Sequence, residues 1–247
     1  MRKSKKAEES RRSFLKKGVV ASSFFIVPRY VLGGTGYTAP SDRLNIAAIG
    51  AGGKGSSDIF NASVKGRERI AALCDVDFSG SAKKSVANFP DAKLYKDYRV
   101  MLDEMKDIDA VTISTPDHSH GPAALYAMQR GVHVYVQKPL SHDIYEARML
   151  TQAAEKYKVV TQMGNQGASN PQQKVAMDWF DQGLIGTVNK VEIWTNRPVW
   201  PQGIQWSKNT LPVPKELNWD LWLGTAPERP YKEGAYHPGN WRKIMDF

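Results

Sequence analysis

The stretch Gly50-Ala51-Gly52-Gly53-Lys54-Gly55 decides the fold of this 247-residue chain. It directly follows the apolar run 44–49 and stands where a strand pattern gives way to a helical one. At such a turn, glycines spaced as G-x-G-x-x-G permit a tight bend, close approach of a pyrophosphate, and contact of the helix with the strand. The stretch therefore predicts a dinucleotide site at a helix N-terminus.

A carboxylate stands at the end of the next predicted strand. Asp75 follows Gly55 by 20 residues, where an acidic side chain accepts hydrogen bonds from the adenosine ribose hydroxyls. It would repel a ribose 2'-phosphate, and the following Val76 offers no guanidinium to neutralise one. We therefore expect NAD rather than NADP as cofactor. Asp77 is a rival for the ribose, but we expect it to be a solvated charge.

Continuous apolar runs alternate with amphipathic helical stretches from residue 44 onward. The predicted strands are 44–49, 70–74, 110–114, 132–136 and 159–163. One predicted helix, 143–157, begins with a capping box of Asp143 and Glu146. This alternation predicts an α/β fold with a Rossmann doubly wound parallel sheet, over residues 41–166.

The pattern changes after residue 166. A helix over 171–182 leads into a single alternating strand over 188–195, and six of the seven tryptophans lie from Trp194 onward. We expect residues 167–247 to begin a second α/β domain with an open sheet that is incomplete at Phe247. A single strand leaves its backbone hydrogen-bonding edge unpaired, and the tryptophans would lack packing partners. We therefore expect the chain beyond Gly186 to be loosely packed.

Most of the positive charge lies near the start of the chain. Residues 1–40 hold nine Lys or Arg and two Glu, whereas residues 41–247 hold 25 basic and 23 acidic side chains. A nearly neutral body gives no support to nucleic-acid binding. The single cysteine excludes an internal disulfide.

The leader, residues 1–40, contains Ser-Arg-Arg-Ser-Phe-Leu-Lys at Ser10–Lys16, followed by an apolar stretch, 19–27, too short to span a bilayer. It resembles a twin-arginine signal. We expect the protein to use the twin-arginine export machinery, to be periplasmic or exported without a stable membrane anchor, and to stay cytoplasmic if the leader is not functional.

Two further segments follow predicted strands and should border one crevice, because the carboxyl ends of parallel strands meet at one edge of a sheet. They are Thr115–His120 and Gln137–Leu140. His118 and His120 have no cysteine or acidic pair at ligand spacing, so we expect no metal. For His118 we expect a helix-capping or polar-loop role rather than catalysis.

These motifs occur together in the order found in one known family. They are the glycine-rich stretch, Asp75, Asp97-Tyr98 with Met101-Leu102, Thr115-Pro116-Asp117-x-x-His120 and Lys138-Pro139. Residues 44 to about 200 thus resemble the Gfo/Idh/MocA family, which includes glucose-fructose oxidoreductase and inositol dehydrogenase. The resemblance implies an NAD(P)-dependent enzyme. In it, Lys138 would reach the nicotinamide side and the reacting hydroxyl, and His120 would line the nicotinamide ribose.

The resemblance identifies Lys138 and His120 as the predicted catalytic residues. The predicted cofactor-binding residues are Gly50, Gly52, Gly53, Gly55, Asp75, Thr115, Pro116, Gln137 and Lys138. Two departures stand out. Gln137 occupies a position where the family usually has glutamate, and the aspartate and histidine that complete the family's catalytic group have no counterpart before Phe247. We expect the general base beyond that residue, so that a chain ending there would be inactive.

Arg197 and Trp200 are predicted substrate residues, because aromatic rings and guanidinium groups suit sugar recognition. Packing in the sheet or in an oligomer interface is an equal alternative for the tryptophan, and we expect a homo-oligomer for the full-length protein.

The leading functional hypothesis is an NAD-dependent oxidoreductase that acts on CH–OH groups of a sugar, polyol or sugar derivative, with hydride transfer assisted by Lys138. One alternative is an NAD-dependent glycosidase that works by transient oxidation. Another is an NAD-binding protein without catalysis.

Overall fold

A computed structural model describes residues 38–196, 210–237 and 239–247 of the chain. The chain divides into two compact units, residues 1–43 and 44–247. The first unit is described only from residue 38 and holds one 3-10 turn, Pro40–Asp42. The predicted export motif and the predicted substrate residues Arg197 and Trp200 lie outside the described residues.

Six parallel strands form one sheet in the second unit. They are β1 (Asn45–Ile49), β2 (Arg69–Cys74), β3 (Lys93–Tyr95), β4 (Ala110–Ile113), β5 (His133–Gln137) and β6 (Thr161–Gly164). The strand order is β3-β2-β1-β4-β5-β6, with every neighbouring pair parallel. This is the order of a dinucleotide-binding sheet, and it confirms the predicted doubly wound fold. The order reverses between β1 and β4, where such sheets open a ligand crevice.

Helices connect the strands and extend beyond the sheet. They are α1 (Lys54–Ala62), α2 (Lys83–Asn88), α3 (Tyr98–Glu104), α4 (His120–Met128), α5 (Ile144–Tyr157), α6 (Pro171–Asp181) and α7 (Trp219–Leu223). The Asp143 side chain accepts a hydrogen bond of 2.8 Å from the Glu146 N–H, which confirms the predicted N-cap of α5. No helix in the described ranges is long and apolar enough to cross a membrane.

Two strand assignments differ from the sequence prediction. Strand β3 was not predicted, because its three residues, Lys-Leu-Tyr, are too few and too exposed to form an apolar run. The strand predicted over 188–195 is wrong, since the structure has no strand there. An alternating pattern forms a strand only beside another strand, and here Ile193 stays 92% exposed.

The core lies on both faces of the sheet. Ile59 of α1 packs on one face against Ile46 and Leu73, while Met101 and Leu102 of α3 pack on the other. Small residues such as the alanines of β1 let the helices approach the strands closely. The helices thereby hold the carboxyl ends of the strands in a fixed arrangement.

A third cluster, which we call the C-terminal aromatic cluster, lies outside the sheet layers. It consists of Leu217, Trp222, Leu223, Tyr231, Tyr236, Trp241 and Phe247, with Trp219 partly buried against it. The rings of Trp219 and Trp222 stack with centroids 4.9 Å apart. The expectation that the tryptophans lack partners is therefore wrong for this segment, because the rings bury one another.

The aromatic cluster depends most on Trp222, whose ring contacts Trp219, Tyr236 and Phe247. Trp222→Ala should lower the free energy of unfolding by about 3 kcal/mol, since it deletes a large buried ring. Trp194→Ala is the matched control, because Trp194 is 85% exposed and should change stability by less than about 0.5 kcal/mol. Urea unfolding of both variants measures the difference, and equal effects would contradict this account of the cluster.

Candidate functional site

A cavity of about 710 Å³ opens at the carboxyl ends of β1, β2, β4 and β5. This is the edge of the sheet where α/β proteins of this topology bind ligands, and the volume suits a small-molecule site. The cavity brings together predicted cofactor residues from four separate segments of the chain. These are Gly50, Gly52, Gly53, Asp75, Thr115, Pro116, Gln137 and Lys138, with His120 beside them.

The glycine-rich loop passes tightly beside the end of β4. Gly50 has a φ of +83°, and a Cβ atom there would lie 2.7 Å from the Ser114 carbonyl carbon. Gly55 lies under the turn, where a Cβ atom would collide with the carbonyl oxygen of Gly50. Gly55 therefore closes the turn rather than lining the cavity, and the loop enters α1 without a side chain in its bend.

Gly52 and Gly53 have different roles. A Cβ atom on Gly52 would collide with the Ser81 side chain, so this glycine lets the chain after β2 pack on the loop. Gly52 also lines the cavity, so close approach of a pyrophosphate to this glycine stays a prediction. Gly53 has a φ of +52° and no atom within 4 Å of its Cβ position, so it forms the open side of the loop toward the cavity.

Asp75 braces the glycine-rich loop as well as lining the cavity. Its Oδ2 accepts hydrogen bonds from the Ala51 N–H at 2.8 Å and the Gly52 N–H at 3.2 Å, and its Oδ1 accepts one from the Asp77 N–H at 3.0 Å. Burial raises the pKa of the Asp75 carboxyl, while these three N–H donors act in the opposite direction. The predicted ribose ligand is thus also a structural tie between β2 and the loop.

The turn that follows Asp75 is held by the C-terminal part of the chain. His237 Nε2 lies 3.2 Å from Asp77 Oδ2. The Lys96 ammonium donates to the carbonyl oxygens of Val76 at 2.8 Å and Glu216 at 2.5 Å. Asp77 is therefore a paired carboxylate, and the prediction of a solvated charge is wrong.

His120 joins two backbone segments of the crevice. Its side chain is buried, with Nδ1 2.6 Å from the Pro139 carbonyl oxygen and Nε2 2.9 Å from that of Thr115. Each ring nitrogen thus faces a carbonyl oxygen, so in this arrangement neither is free to bind a ligand. The ring holds the Thr115 and Lys138 segments together and borders the cavity.

His118 packs against the aromatic cluster and contacts the C-terminal end of helix α7. Its buried Nε2 donates to the Trp222 carbonyl oxygen at 3.2 Å, and its ring lies 5.0 Å from that of Phe247. Burial lowers the pKa of His118 to about 4. A helix-capping contact is therefore present, at the C-terminal end of α7. The alternative of a polar-loop role is wrong, because aromatic rings more than 100 residues away in sequence cover this side chain.

Asp117 is a cavity residue that the sequence prediction did not select. Burial raises the pKa of its carboxyl, although the positive charges of His120, Lys138 and Arg242 act against this. Its place in the Thr-Pro-Asp segment, directly after β4, was the available signal. A half-buried carboxyl whose pKa responds to Lys138 places groups of opposite charge in the same crevice.

The residues present fit a dinucleotide. Thr115 Oγ1 is buried at the cavity without a hydrogen-bond partner in the described structure, as expected for a group that contacts a ligand. Gly53 leaves room for phosphates, and Asp75 supplies a carboxyl near the ribose position. Among the described residues, no group of three His, Cys, Asp or Glu side chains is arranged to hold a metal ion.

Comparison with known proteins agrees with this geometry. Residues 44–165 match the family described as an oxidoreductase family with an NAD-binding Rossmann fold, GFO_IDH_MocA. The chain belongs to the Gfo/Idh/MocA family. The match covers the sheet and every cavity residue up to Lys138, so the family assignment and the site rest on the same part of the chain.

Individual known proteins are similar to part of this chain. The inositol 2-dehydrogenase of Arthrobacter sp. (strain FB24) is 35% identical over 47% of this chain and 34% of its own length. A glycosyl hydrolase family 109 protein of Solibacter usitatus (strain Ellin6076) is 33% identical over 47% of this chain and 28% of its own. The crystal structure of myo-inositol 2-dehydrogenase from Lactobacillus plantarum is 26% identical, with a TM-score of 0.54 over 59% of this chain and 43% of that one. The chain thus spans less than half of each protein.

Asp75→Ser tests the carboxyl at the end of β2. If Asp75 only holds the glycine-rich loop, its loss should weaken the binding of NAD and of NADP equally. If its carboxyl also contacts the ribose, its loss should weaken the binding of NAD more than that of NADP. We expect NAD binding to weaken by about 1–3 kcal/mol, with a smaller loss for NADP. Calorimetric titration of both cofactors into both proteins measures this. Tighter binding of NADP by the unmodified protein would contradict the assignment.

Proposed function

We propose that the full-length protein is an NAD-dependent oxidoreductase that acts on a CH–OH group of a sugar, polyol or sugar derivative. The observation that carries this proposal is that one cavity unites the glycine-rich loop, Asp75 and Lys138. NAD, when bound, accepts a hydride or returns one. The chain's own residues must then bind the cofactor, orient the substrate and stabilise charge on the reacting oxygen.

NAD is favoured over NADP by the charges around the end of β2. A 2'-phosphate would lie near the carboxyl of Asp75 and would need a cation as partner. Two cationic or ionisable side chains near the end of β2 in the described structure are already engaged, since Lys96 donates to two carbonyl oxygens and His237 lies beside Asp77. Releasing either partner would cost free energy, so the arrangement supports a preference for NAD.

Lys138 is the residue we propose for the chemistry. Its exposed side chain borders the cavity directly after β5. An ammonium group there can donate a hydrogen bond to a carbinol oxygen and stabilise the negative charge that develops on it. Thr115, with its unpartnered hydroxyl, lines the same cavity and can orient the substrate or cofactor.

Lys138→Met should remove most turnover of the full-length protein and leave NAD affinity nearly unchanged. The change deletes the charge that acts on the reacting oxygen, and losses of about 100-fold or more are typical for such groups. Lys84→Met is the control, because Lys84 is an exposed lysine of α2 away from the cavity. Steady-state kinetics and NAD titration provide the comparison, and near-normal turnover of Lys138→Met would refute the role.

A second candidate is favoured by the similarity to glycosyl hydrolase family 109 proteins. We propose that the same cavity would then serve a glycosidase that oxidises one sugar carbon transiently and returns the hydride after the glycosidic bond has broken. The two activities differ in one product, because NADH accumulates only in the dehydrogenase. Cofactor binding without any turnover in the full-length protein would instead favour a non-catalytic NAD-binding protein.

For the whole protein we propose export by the twin-arginine machinery and assembly into a homo-oligomer. The pattern at Ser10–Lys16 supports the first. Exposed apolar side chains on and after α6, such as Trp179, Phe180 and Ile185, support the second. Such export carries folded proteins, which suits a cofactor inserted beforehand, and little free NAD should be present outside the cytoplasm.

An exported oxidoreductase would therefore have to retain its cofactor and return the hydride within the reaction cycle. The contacts of Lys96 and His237 across the turn after Asp75 support retention, because they would hold the adenosine end of the crevice closed. Protein purified from the cell envelope without added cofactor and then denatured should release nearly one NAD or NADH per chain. Cofactor-free protein that requires added NAD for activity would contradict retention.

A further inference from the structure

A buried carboxylate lies just behind the cavity, at Asp58 on helix α1. Its side chain is 4% exposed, and it is not among the residues that line the cavity. A buried carboxylate is unfavourable unless several donors surround it. The identity of those donors therefore indicates which parts of the site depend on Asp58.

Three donors from three segments converge on this carboxylate. Asp58 Oδ2 accepts from the Ser114 hydroxyl at 2.9 Å and from Gln137 Nε2 at 2.8 Å, and Oδ1 accepts from the Lys54 ammonium. Lys54 begins α1, Ser114 follows β4, and Gln137 ends β5. The carboxylate thus ties the glycine-rich loop to the two strand ends that frame the crevice.

Gln137 is held in one orientation by this contact. Its buried amide directs Nε2 toward Asp58 and Oε1 toward the Lys138 backbone N–H, at 3.4 Å. On another side it lies against β6, where a Cβ atom on Gly164 would be 2.7 Å from Gln137 Nε2. The amide therefore bridges Asp58 and the backbone of the proposed catalytic lysine, and the absence of a side chain at Gly164 leaves room for it beside β6.

We infer that Asp58 is a positioning residue for Lys138, acting through Gln137, and that it determines the uncharged side chain at position 137. This inference rests on the proposed role of Lys138. The negative charge of Asp58 is balanced by the positive charge of Lys54, with which it forms an ion pair. The position needs a side chain that donates to Asp58 and accepts on the Lys138 side, and an amide does both.

This pairing accounts for the departure from the family pattern at position 137. Glutamate has the shape of glutamine but has no donor when ionised, so it would place a second carboxylate against Asp58 in a buried site. Two buried carboxylates in contact repel each other strongly. Glutamate becomes compatible again if residue 58 carries the amide, because the direction of the hydrogen bond is then reversed.

A charge-exchange cycle in the full-length protein tests the inference. The variants are Gln137→Glu, Asp58→Asn, the double variant, and Gln137→Met as an uncharged control of similar length. Gln137→Glu should lower kcat by about tenfold or more and Tm by about 4 °C or more. NAD affinity is titrated for every variant and kcat is compared at saturating NAD, because Gln137 also lines the cavity as a predicted cofactor-binding residue. Gln137→Met should have a smaller effect on both quantities, and the double variant should recover most of the loss.

The outcomes separate the inference from the proposed function. A double variant no better than Gln137→Glu, or a Gln137→Glu no worse than Gln137→Met, would overturn the pairing. If the double variant recovers Tm but not kcat, Asp58 and Gln137 stabilise the fold without positioning Lys138, and the positioning role is overturned. If Gln137→Glu does not fold, recovery of folded protein in the double variant supports the pairing, and its kcat decides the rest. Lys138→Met, measured alongside, judges the proposed function independently.

Discussion

The glycine-rich loop has its shape because no side chain stands between it and the ends of its neighbouring strands. A Cβ atom at Gly50 would overlap the backbone at Ser114, and one at Gly55 would overlap Gly50 itself. The loop connects β1 to α1 through the space between β2 and β4. It fits there only because Gly50 and Gly55 carry no side chain. Asp75 then fixes that backbone through its N–H groups. The cavity, the direction of α1 and the place of Asp58 all follow from this passage.

Much of the sheet could be predicted because its information is local. Buried parallel strands appear as continuous apolar runs, and the glycine spacing marks the first crossover. Strand β3 escaped prediction because three residues with a lysine carry no such signal. Over 188–195, by contrast, a strand was predicted where none forms. An alternating pattern shows that a segment can form a strand beside a partner, but it does not show whether a partner strand is present.

The candidate site likewise could be predicted from the sequence only in part. Asp75 and Lys138 could be located because each directly follows a strand, and the topology brings strand ends together. The roles of Asp58, Asp77 and His118 could not be predicted, because their partners Gln137, His237 and Trp222 are 79 to 160 residues distant in sequence. Hydrogen bonds over such separations leave no periodicity for a reader of the sequence to detect. Even the glutamine that departs from the family pattern becomes intelligible only beside the carboxylate it faces.

Trp222, Trp241 and Phe247 of the aromatic cluster line one side of the cavity, and this wall has a consequence for the order of folding. The sheet is complete by residue 164, so its parallel strands can pair while the ribosome is still adding the remainder of the chain. His118 gains the carbonyl of Trp222 and the ring of Phe247 only after residues 165–247 have been synthesised. In a nascent chain the glycine-rich loop and Asp75 would thus be exposed at the edge of the sheet until the aromatic cluster forms. At that stage a dinucleotide would meet an open edge of the sheet instead of a cavity lined on one side by aromatic rings.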